Sequence, residues 1–413
     1  MEKNYFAAIE FGALYNNVLV LSYAHNKLNV VALDKCRSNG FLNGEIYDED
    51  AFIDSITNVM ENILSKYKIV LDEVILVLPN LGHKMYSAYV SNKVLTERQI
   101  IGKNQIDAIR NQIRNAKVSE EEVLVDEVPT AYSLDGDRVL RSAPINYQSA
   151  ILAIRSNIHT LPKKLYSNLV NSLSTKNISL LGQVLNCQCA AFATANNYEL
   201  ESECIHVNIS DDSTTVSAFN KNLLIKTSCV NFGINNLVSY LAKSLNVSVD
   251  YAKDLFESHF VCNIDYASDV VFDEDNKLTE KRISGIVLNR LYNAFNEITE
   301  AINIIKEECK FEECKYLLTG SLNDYEFFVE EFSKNCNIDF IEGNINLIGI
   351  DDQSYVNCYG AIKQFIENNV DYVIKRLEND VEVNVNDIKV EVKQNSNEVT
   401  NNNNSKFKDI FDD

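Results

Sequence analysis

Residues 201–233 read ESECIHVNISDDSTTVSAFNKNLLIKTSCVNFG, and the prediction of the fold starts from the pattern of this stretch. Apolar runs at Cys204–Ile209, 216–219 and Leu223–Val230 are typical of short strands joined by tight turns. The turn at residues 210–215 is rich in hydroxyls and backbone donors, which suits a phosphate site. We therefore predict strands arranged around an anion-binding turn.

The start of the chain repeats this design. A strand is predicted over residues 5–10, Gly12 falls in the following turn, and further strands are predicted over residues 18–22 and 27–33. Two copies of the same unit predict a duplicated α/β fold with a cleft between its halves.

Composition narrows the class of protein. The 413 residues are 46% hydrophobic and 23% charged, as in ordinary globular proteins. A net charge of −21 argues against a nucleic-acid partner, since phosphates would be repelled. The sequence has no apolar run long enough to span a membrane and no signal-peptide pattern, and its ten cysteines form no CxxC pair. We therefore expect a cytoplasmic protein with reduced thiols.

Residues 84–162 differ in character from their surroundings. A helix is predicted over residues 96–116, opened by the capping pattern Leu95-Thr96-Glu97. Strands are predicted over residues 84–91, 122–125, 135–141 and 149–154. This pattern indicates an independent α+β module inserted into the first half.

These features together resemble a known superfamily. The repeated strand–phosphate turn–strand unit, with a late strand ending in Leu317-Leu318-Thr319-Gly320, is similar to the actin, sugar-kinase and chaperone ATPases. Within that superfamily the inserted module resembles that of FtsA, on the strings LTERQI at residues 95–100 and EVL, VP and YSLDG within 122–136. The resemblance covers residues 4–367. It implies an actin-like fold and a protein that ties the FtsZ division ring to the membrane.

The resemblance also implies a division of the chain. The first actin-like subdomain would comprise residues 1–83 and 163–200, the inserted module 84–162, the second subdomain 201–233 and 310–379, and a small helical subdomain 234–309. An Asn-rich disordered linker, 380–405, and a short amphipathic segment, 406–413, would complete the chain.

In this superfamily, acidic residues and glycines at the two turns hold ATP and Mg²⁺. Glu10 stands where the first Asp is expected and could act on Mg²⁺ through water. Asn208 replaces the second Asp, while Asp211 and Asp212 fill glycine positions and would repel a γ-phosphate. We therefore expect weak or absent ATP binding and no efficient hydrolysis.

The nucleoside-binding positions are altered as well. Lys253 and Phe256 stand where the superfamily has Glu and Lys, and Gly320-Ser321 replaces a Gly-Gly pair. The cofactor-binding candidates are Glu10, Gly12, Asn208, Asp212, Ser213, Thr214, Gly233, Gly320 and Ser321, with Glu10 also the candidate metal ligand.

No catalytic residue is predicted. By analogy Gln188 could orient an attacking water, but a core or surface glutamine is the simpler interpretation. The five histidines lie on different elements without metal-like spacing, and His206, inside an apolar strand, is interpreted as a satisfied core histidine.

The resemblance implies the FtsZ C-terminal tail, a second copy of the chain and the inner face of the cell membrane as partners. For the FtsZ tail, Lys281, Arg282 and Arg290 would form a basic rim on the small helical subdomain. For the membrane, Phe407, Ile410 and Phe411 fall at i, i+3 and i+4, on one face of a helix.

Two alternatives remain open. One is a true ATPase or sugar kinase on the same fold, which the lost glycines and Asp disfavour. The other is a peptide-binding relative of PilM, the type IV pilus assembly protein, which shares the inserted module. The linker and the terminal Phe-rich segment favour the FtsA-like interpretation over the PilM-like one.

Overall fold

The computed structural model describes residues 5–42, 44–96, 98–195, 199–274 and 277–376. Of these, residues 6–368 form one compact unit, and Tyr5 and residues 369–376 belong to a second unit. In the second unit, residues 370–376 are helical.

Two five-stranded sheets follow the same plan. The first contains, in spatial order, β11 (Ser179–Leu185), β6 (Glu73–Leu78), β1 (Tyr5–Phe11), β2 (Tyr15–Ala24) and β3 (Lys27–Arg37). The second contains β14 (Leu223–Val230), β13 (Thr214–Asn220), β12 (Cys204–Ile209), β15 (Lys315–Gly320) and β16 (Phe340–Glu342). Strand β1 pairs in parallel with β6, as β12 does with β15. In each sheet a meander of three strands is thus extended by two parallel strands, so the fold is duplicated.

A third sheet lies within residues 84–162. Its strands, in spatial order, are β7 (Lys84–Lys93), β10 (Ile151–Pro162), β8 (Glu122–Leu134) and β9 (Arg138–Leu140), all antiparallel. Helix α2 (Lys103–Arg114) buries Ile106, Ile109 and Ile113 in a core shared with this sheet. The segment therefore has a hydrophobic core of its own. A short hairpin of β4 (Phe41–Leu42) and β5 (Glu45–Ile46) follows β3 in the chain.

Helices cover the sheets of the two halves. They are α1 (Glu49–Tyr67), α3 (Lys163–Thr175), α4 (Asn186–Thr194), α5 (Ile234–Leu245), α6 (Val249–His259), α7 (Glu280–Cys309), α8 (Phe328–Cys336) and α9 (Val356–Asn368). The Ser248 side chain accepts a hydrogen bond from the Tyr251 amide and caps α6, as the sequence predicts.

Among the described residues, no helix is long and apolar enough to cross a membrane.

The predicted start of α2 is wrong. The helix begins at Lys103, because the backbone before it pairs with a distant loop. The Ile101 amide donates to the Tyr147 carbonyl at 2.8 Å, and the Ser149 amide donates to the Gln99 carbonyl at 2.9 Å. Gly102, whose amide donates to Gln105 Oε1, then serves as the N-cap.

Two further parts of the prediction need correction. The strand predicted at residues 135–141 begins only at Arg138, since Asp135 and Gly136, with φ of 52° and 86°, form the hairpin turn. Helix α8 and strand β16 were not predicted, although the phenylalanines of α8, Phe328 and Phe332, are fully buried.

Candidate functional site

The two predicted phosphate turns face each other at the ends of the two sheets. The first joins β1 to β2, where the Gly12 amide donates to the Tyr15 carbonyl at 3.0 Å. The second joins β12 to β13, where the Ser210 amide donates to the Ser213 carbonyl at 3.0 Å. A cavity of about 40 Å³ lies between them, enough for about one water molecule.

Most of the predicted cofactor-binding residues gather around this cavity. Its lining includes Glu10, Gly12, Asn208, Asp212, Ser213, Gly320 and Ser321. Two candidates lie outside the lining and have local roles. The Thr214 hydroxyl donates to the Phe232 carbonyl at 2.8 Å, and Gly233 is the N-cap of α5.

The carboxylates of the second turn bind the backbone of the first turn. Asp212 Oδ2 accepts a hydrogen bond from the Ala13 amide at 3.1 Å. Asp211 Oδ2 accepts from the amides of Leu14 and Tyr15 at 3.3 and 3.2 Å. Consecutive amides of this kind are the donors that phosphate turns offer to an anion. In this chain they are bonded to its own side chains.

Glycine is required where the turns meet. A Cβ on Gly12 would lie 2.8 Å from Asp211 Oδ2 and 2.9 Å from the Tyr15 carbonyl oxygen. A Cβ on Gly233 would lie 2.3 Å from the Asp211 carbonyl oxygen. Both glycines therefore allow the close approach of the Asp211 residue.

Glu10 lies at the floor of the cavity. Its Oε1 accepts a hydrogen bond from Asn357 Nδ2 at 2.6 Å. Burial, opposed by hydrogen bonds from Asn357 and Asn17 and reinforced by Asp211 and Asp212, raises the Glu10 pKa to about 8. The raised pKa favours the protonated carboxyl of Glu10 at neutral pH in the metal-free chain.

Asn208 has partners inside the second sheet. Its Oδ1 accepts from the Thr319 hydroxyl at 3.0 Å, and its Nδ2 donates to Ser210 Oγ at 3.2 Å. Thr319 Oγ1 also lies 2.8 Å from His206 Nε2. Burial lowers the pKa of His206 to about 3, so this core imidazole is neutral. Asn208 thus links β12 to its neighbour β15.

The two altered nucleoside positions pack against the protein itself. Lys253 Nζ donates to the Leu14 carbonyl at 2.7 Å and lies 3.5 Å from the centre of the Tyr15 ring. Burial lowers the Lys253 pKa to about 8. Phe256 stacks on Phe260, with ring centres 5.1 Å apart. A cavity of about 550 Å³ lies beside these residues, lined in part by Tyr15, Phe256 and Asp211.

Ionic contacts link the first sheet to α6 and to the loop before α9. Arg37 pairs with Asp254, and Lys35 Nζ lies 3.1 Å from Asp352 Oδ2. The Tyr15 hydroxyl donates to Glu257 at 2.5 Å. The contacts of Lys35 and Arg37 were not predicted from the sequence because the third strand was expected to end at residue 33, whereas β3 extends to Arg37. The signal was the alternation of Lys35 and Arg37, which places both on one face of β3.

Gln188 does not line the cavity between the turns. Its Oε1 accepts a hydrogen bond from Gln364 Nε2 at 2.9 Å, and the side chain is buried. The histidines are less scattered than the sequence suggests, because His83 Nε2 and His159 Nδ1 lie 3.0 Å apart. Within the described ranges no group of three or more His, Cys, Asp or Glu could hold a metal ion.

The residues predicted to bind a partner lie on α7. Lys281 pairs with Asp269 at 2.9 Å, and Arg282 Nη1 donates to the Lys277 carbonyl at 3.2 Å. Arg290 pairs with Glu297 at 3.7 Å, and its guanidinium lies 5.1 Å from the Phe232 ring centre. The predicted linker at 380–405 and the membrane residues Phe407, Ile410 and Phe411 lie outside the described residues.

Comparisons with known proteins define the class. No family model matches the chain. A structure of the PilM–PilN type IV pilus biogenesis complex aligns with a TM-score of 0.62 at 12% identity, covering 88% of this chain and 99% of that one. The ethanolamine utilization protein EutJ of Carboxydothermus hydrogenoformans aligns with a TM-score of 0.50 at 12% identity, covering 87% of this chain and 90% of that protein. The chain has the actin-like ATPase fold with an inserted α+β module.

Sequence comparison points to one branch of that class. The chain is similar to the cell division protein FtsA of Staphylococcus epidermidis, 20% identical over 310 residues that cover 73% of this chain and 66% of that protein. It is also similar to FtsA of Agrobacterium fabrum, 21% identical over 295 residues that cover 68% of this chain and 64% of that protein. The chain thus spans slightly less than two thirds of the length of these relatives.

The fold makes nucleotide binding possible, but the residues of this cleft do not fit ATP with Mg²⁺. Three amides of the first turn already bond Asp211 and Asp212. Each carboxylate about 4 Å from a phosphate would oppose it by about 4 kcal/mol at an effective dielectric constant of ~20. Lys253 and Phe256 occupy the nucleoside positions with contacts of their own.

Proposed function

We propose that this chain is an FtsA-like assembly protein that links FtsZ filaments to the cytoplasmic membrane at the division site. It would bind the FtsZ C-terminal tail, polymerise as an actin-like filament and have weak or lost ATPase activity. The observation that carries the division role is the similarity to two FtsA proteins. The bonding of Asp211 and Asp212 to the first turn supports the loss of ATPase activity, since these carboxylates occupy the backbone donors that would bind phosphate.

The FtsZ site is proposed on the small helical subdomain, residues 234–309. Lys281 and Arg282 are exposed at the start of α7. FtsZ tails combine acidic and apolar residues, so a basic rim would attract them and make binding depend on salt. The ion pair between Lys281 and Asp269 is exposed, so exchanging it for a contact with a partner costs little.

The test is co-sedimentation with FtsZ filaments from the same organism. The wild-type chain should pellet with FtsZ, and less of it should pellet as salt rises. Lys281→Glu with Arg282→Glu should reduce binding at least tenfold and flatten the salt dependence. Lys163→Glu with Lys164→Glu, a second adjacent pair at the exposed start of α3, is the matched control and should behave as wild type. Equal binding by the two double variants would contradict the proposed site.

A PilM-like peptide-binding role is the second candidate, because the PilM–PilN structure shares the fold over 88% of this chain. That likeness at 12% identity concerns the fold alone. The co-sedimentation experiment separates the candidates, since a PilM-like protein would not pellet with FtsZ.

Membrane attachment is proposed for residues 406–413. Three apolar side chains would contribute about 3–6 kcal/mol if partly buried in the lipid interface. Binding would then require a row of anchors on one filament. Liposome flotation of the full chain against a version ending at Asn404 tests this, and equal flotation of both would remove the anchor from the proposal.

A further inference from the structure

Three consecutive backbone amides of the first turn donate hydrogen bonds to carboxylates of the same chain. We propose that the amides of Ala13, Leu14 and Tyr15 form an intact anion site that the carboxylates of Asp211 and Asp212 occupy in place of phosphate. The ligand class of the site is a phosphate or polyphosphate. This inference deepens the proposed loss of nucleotide binding but does not rest on the FtsZ role.

The geometry of the donors supports an intact site. Three consecutive amides point to two carboxylate oxygens at 3.1 to 3.3 Å, the range of ordinary hydrogen bonds. Bonds to an ionised acceptor are stronger than neutral ones. Gly12 leaves the space that the Asp211 carboxylate fills, since a Cβ at this position would lie only 2.8 Å from Oδ2. The first turn therefore keeps the form of an anion-binding turn.

The charges around the site support the same assignment. Burial raises the pKa of the Asp211 carboxyl. The charges of Lys35 and Lys253 oppose this effect and favour the ionised form. Two cations beside a row of amides would equally suit a phosphate. An entering phosphate would have to displace both carboxylates and then lie beside them. The site therefore disfavours the binding of a free anion, because the carboxylates of Asp211 and Asp212 already occupy it.

Occupation by side chains has a consequence for the cleft. Asp211 and Asp212 belong to the second half and the three amides to the first, so these bonds join the halves without a ligand. The contact between the two turns therefore needs no bound anion.

Removal of the carboxylates should expose the site. We expect Asp211→Gly with Asp212→Gly to bind inorganic pyrophosphate at least tenfold more tightly than wild type in calorimetric titration. Glu120→Gly with Glu121→Gly removes the same charge from an exposed turn of the inserted module and should bind as weakly as wild type. A folded cleft variant that binds pyrophosphate no better than this control overturns the proposal, and so does tight binding by the wild type.

Amide hydrogen exchange tests the proposal if the glycine variant does not fold. In ligand-free wild type, the amides of Ala13, Leu14 and Tyr15 should exchange hydrogen slowly. Asp211→Asn with Asp212→Asn, which keeps the side-chain size but weakens the acceptors, should speed their exchange at least tenfold. Rapid exchange at these amides in the wild type would overturn the proposal. Neither measurement involves FtsZ, so failure here is distinguishable from failure of the partner role.

Discussion

At the scale of single residues, Glu10 shows how burial changes the chemistry of an acidic side chain in the cleft. Its carboxyl accepts a hydrogen bond from Asn357 and lies near two further acidic side chains. The pKa of about 8 means that the folded chain holds a proton that the unfolded chain has lost above about pH 4.5. Stability should therefore fall as pH rises from 5 to 8.

Replacement of Glu10 by Gln tests whether the ionisation of Glu10 lowers stability as the pH rises. The amide oxygen can still accept from Asn357 while the ionisation is removed. We expect the free energy of unfolding to exceed that of wild type by about 1–3 kcal/mol at pH 8, and by little at pH 5. Urea denaturation at both pH values measures it, with Glu120→Gln as an exposed control. An identical difference at the two pH values would show that Glu10 does not titrate in this range.

The resemblance to the actin-like ATPases indicated part of the site. It placed Glu10 and Asn208 near the ends of β1 and β12 and Gly12 in the turn after β1, and all three line one cavity. The bonds from Asp211 and Asp212 to the first turn were not predictable. They join a side chain to amides 196 to 199 positions away, and only the packing of the two sheets brings these together.

At the scale of elements, the contact between α4 and α9 depends on one small residue. A Cβ on Gly360 of α9 would lie 1.8 Å from the Cys189 carbonyl oxygen of α4. Neither helix can move away without disturbing the sheets that it covers. The close approach of the two backbones therefore requires glycine.

We expect Gly360→Ala to lower the free energy of unfolding by about 3 kcal/mol. Gly285→Ala in α7 is the matched control, because the nearest atom to its Cβ would be 3.9 Å away. There the loss of backbone entropy in the unfolded state should instead stabilise the chain by about 0.5–1 kcal/mol. Thermal or urea denaturation gives both values. Changes of the same sign would contradict this account of the helix contact.

Most elements were predictable from apolar periodicity, and the misplaced start of α2 shows where that signal fails. The backbone of Gln99 and Ile101 pairs with the loop at residues 145–149. A local capping pattern at Thr96 could not reveal this distant pairing. Tertiary hydrogen bonds prevailed over local helix signals.

At the scale of the whole molecule, exposed ion pairs accompany the buried bonds across the cleft. Arg37 of β3 pairs with Asp250 and Asp254 of α6, with side-chain exposures of 45%, 83% and 55%. Exposed pairs of this kind contribute little. The buried carboxylates should therefore dominate the closure of the cleft.

Arg37→Ala should lower the free energy of unfolding by about 0.5 kcal/mol at low salt, and by less at high salt. Asp211→Asn should cost more at both salt concentrations, because it weakens bonds at a buried site. Arg141→Ala, in the inserted module, controls for loss of an exposed arginine. A larger loss for Arg37→Ala than for Asp211→Asn would assign the closure to the ion pairs instead.

Calorimetric titration of the wild-type chain with ATP and Mg²⁺ tests the central claim most directly. Because Asp211 and Asp212 hold the phosphate donors and Lys253 and Phe256 fill the nucleoside positions, no saturable heat should be seen at micromolar ATP. A dissociation constant below about 1 μM, equivalent to about −8 kcal/mol of binding free energy, would contradict the claim that the chain's own side chains occupy the phosphate donors.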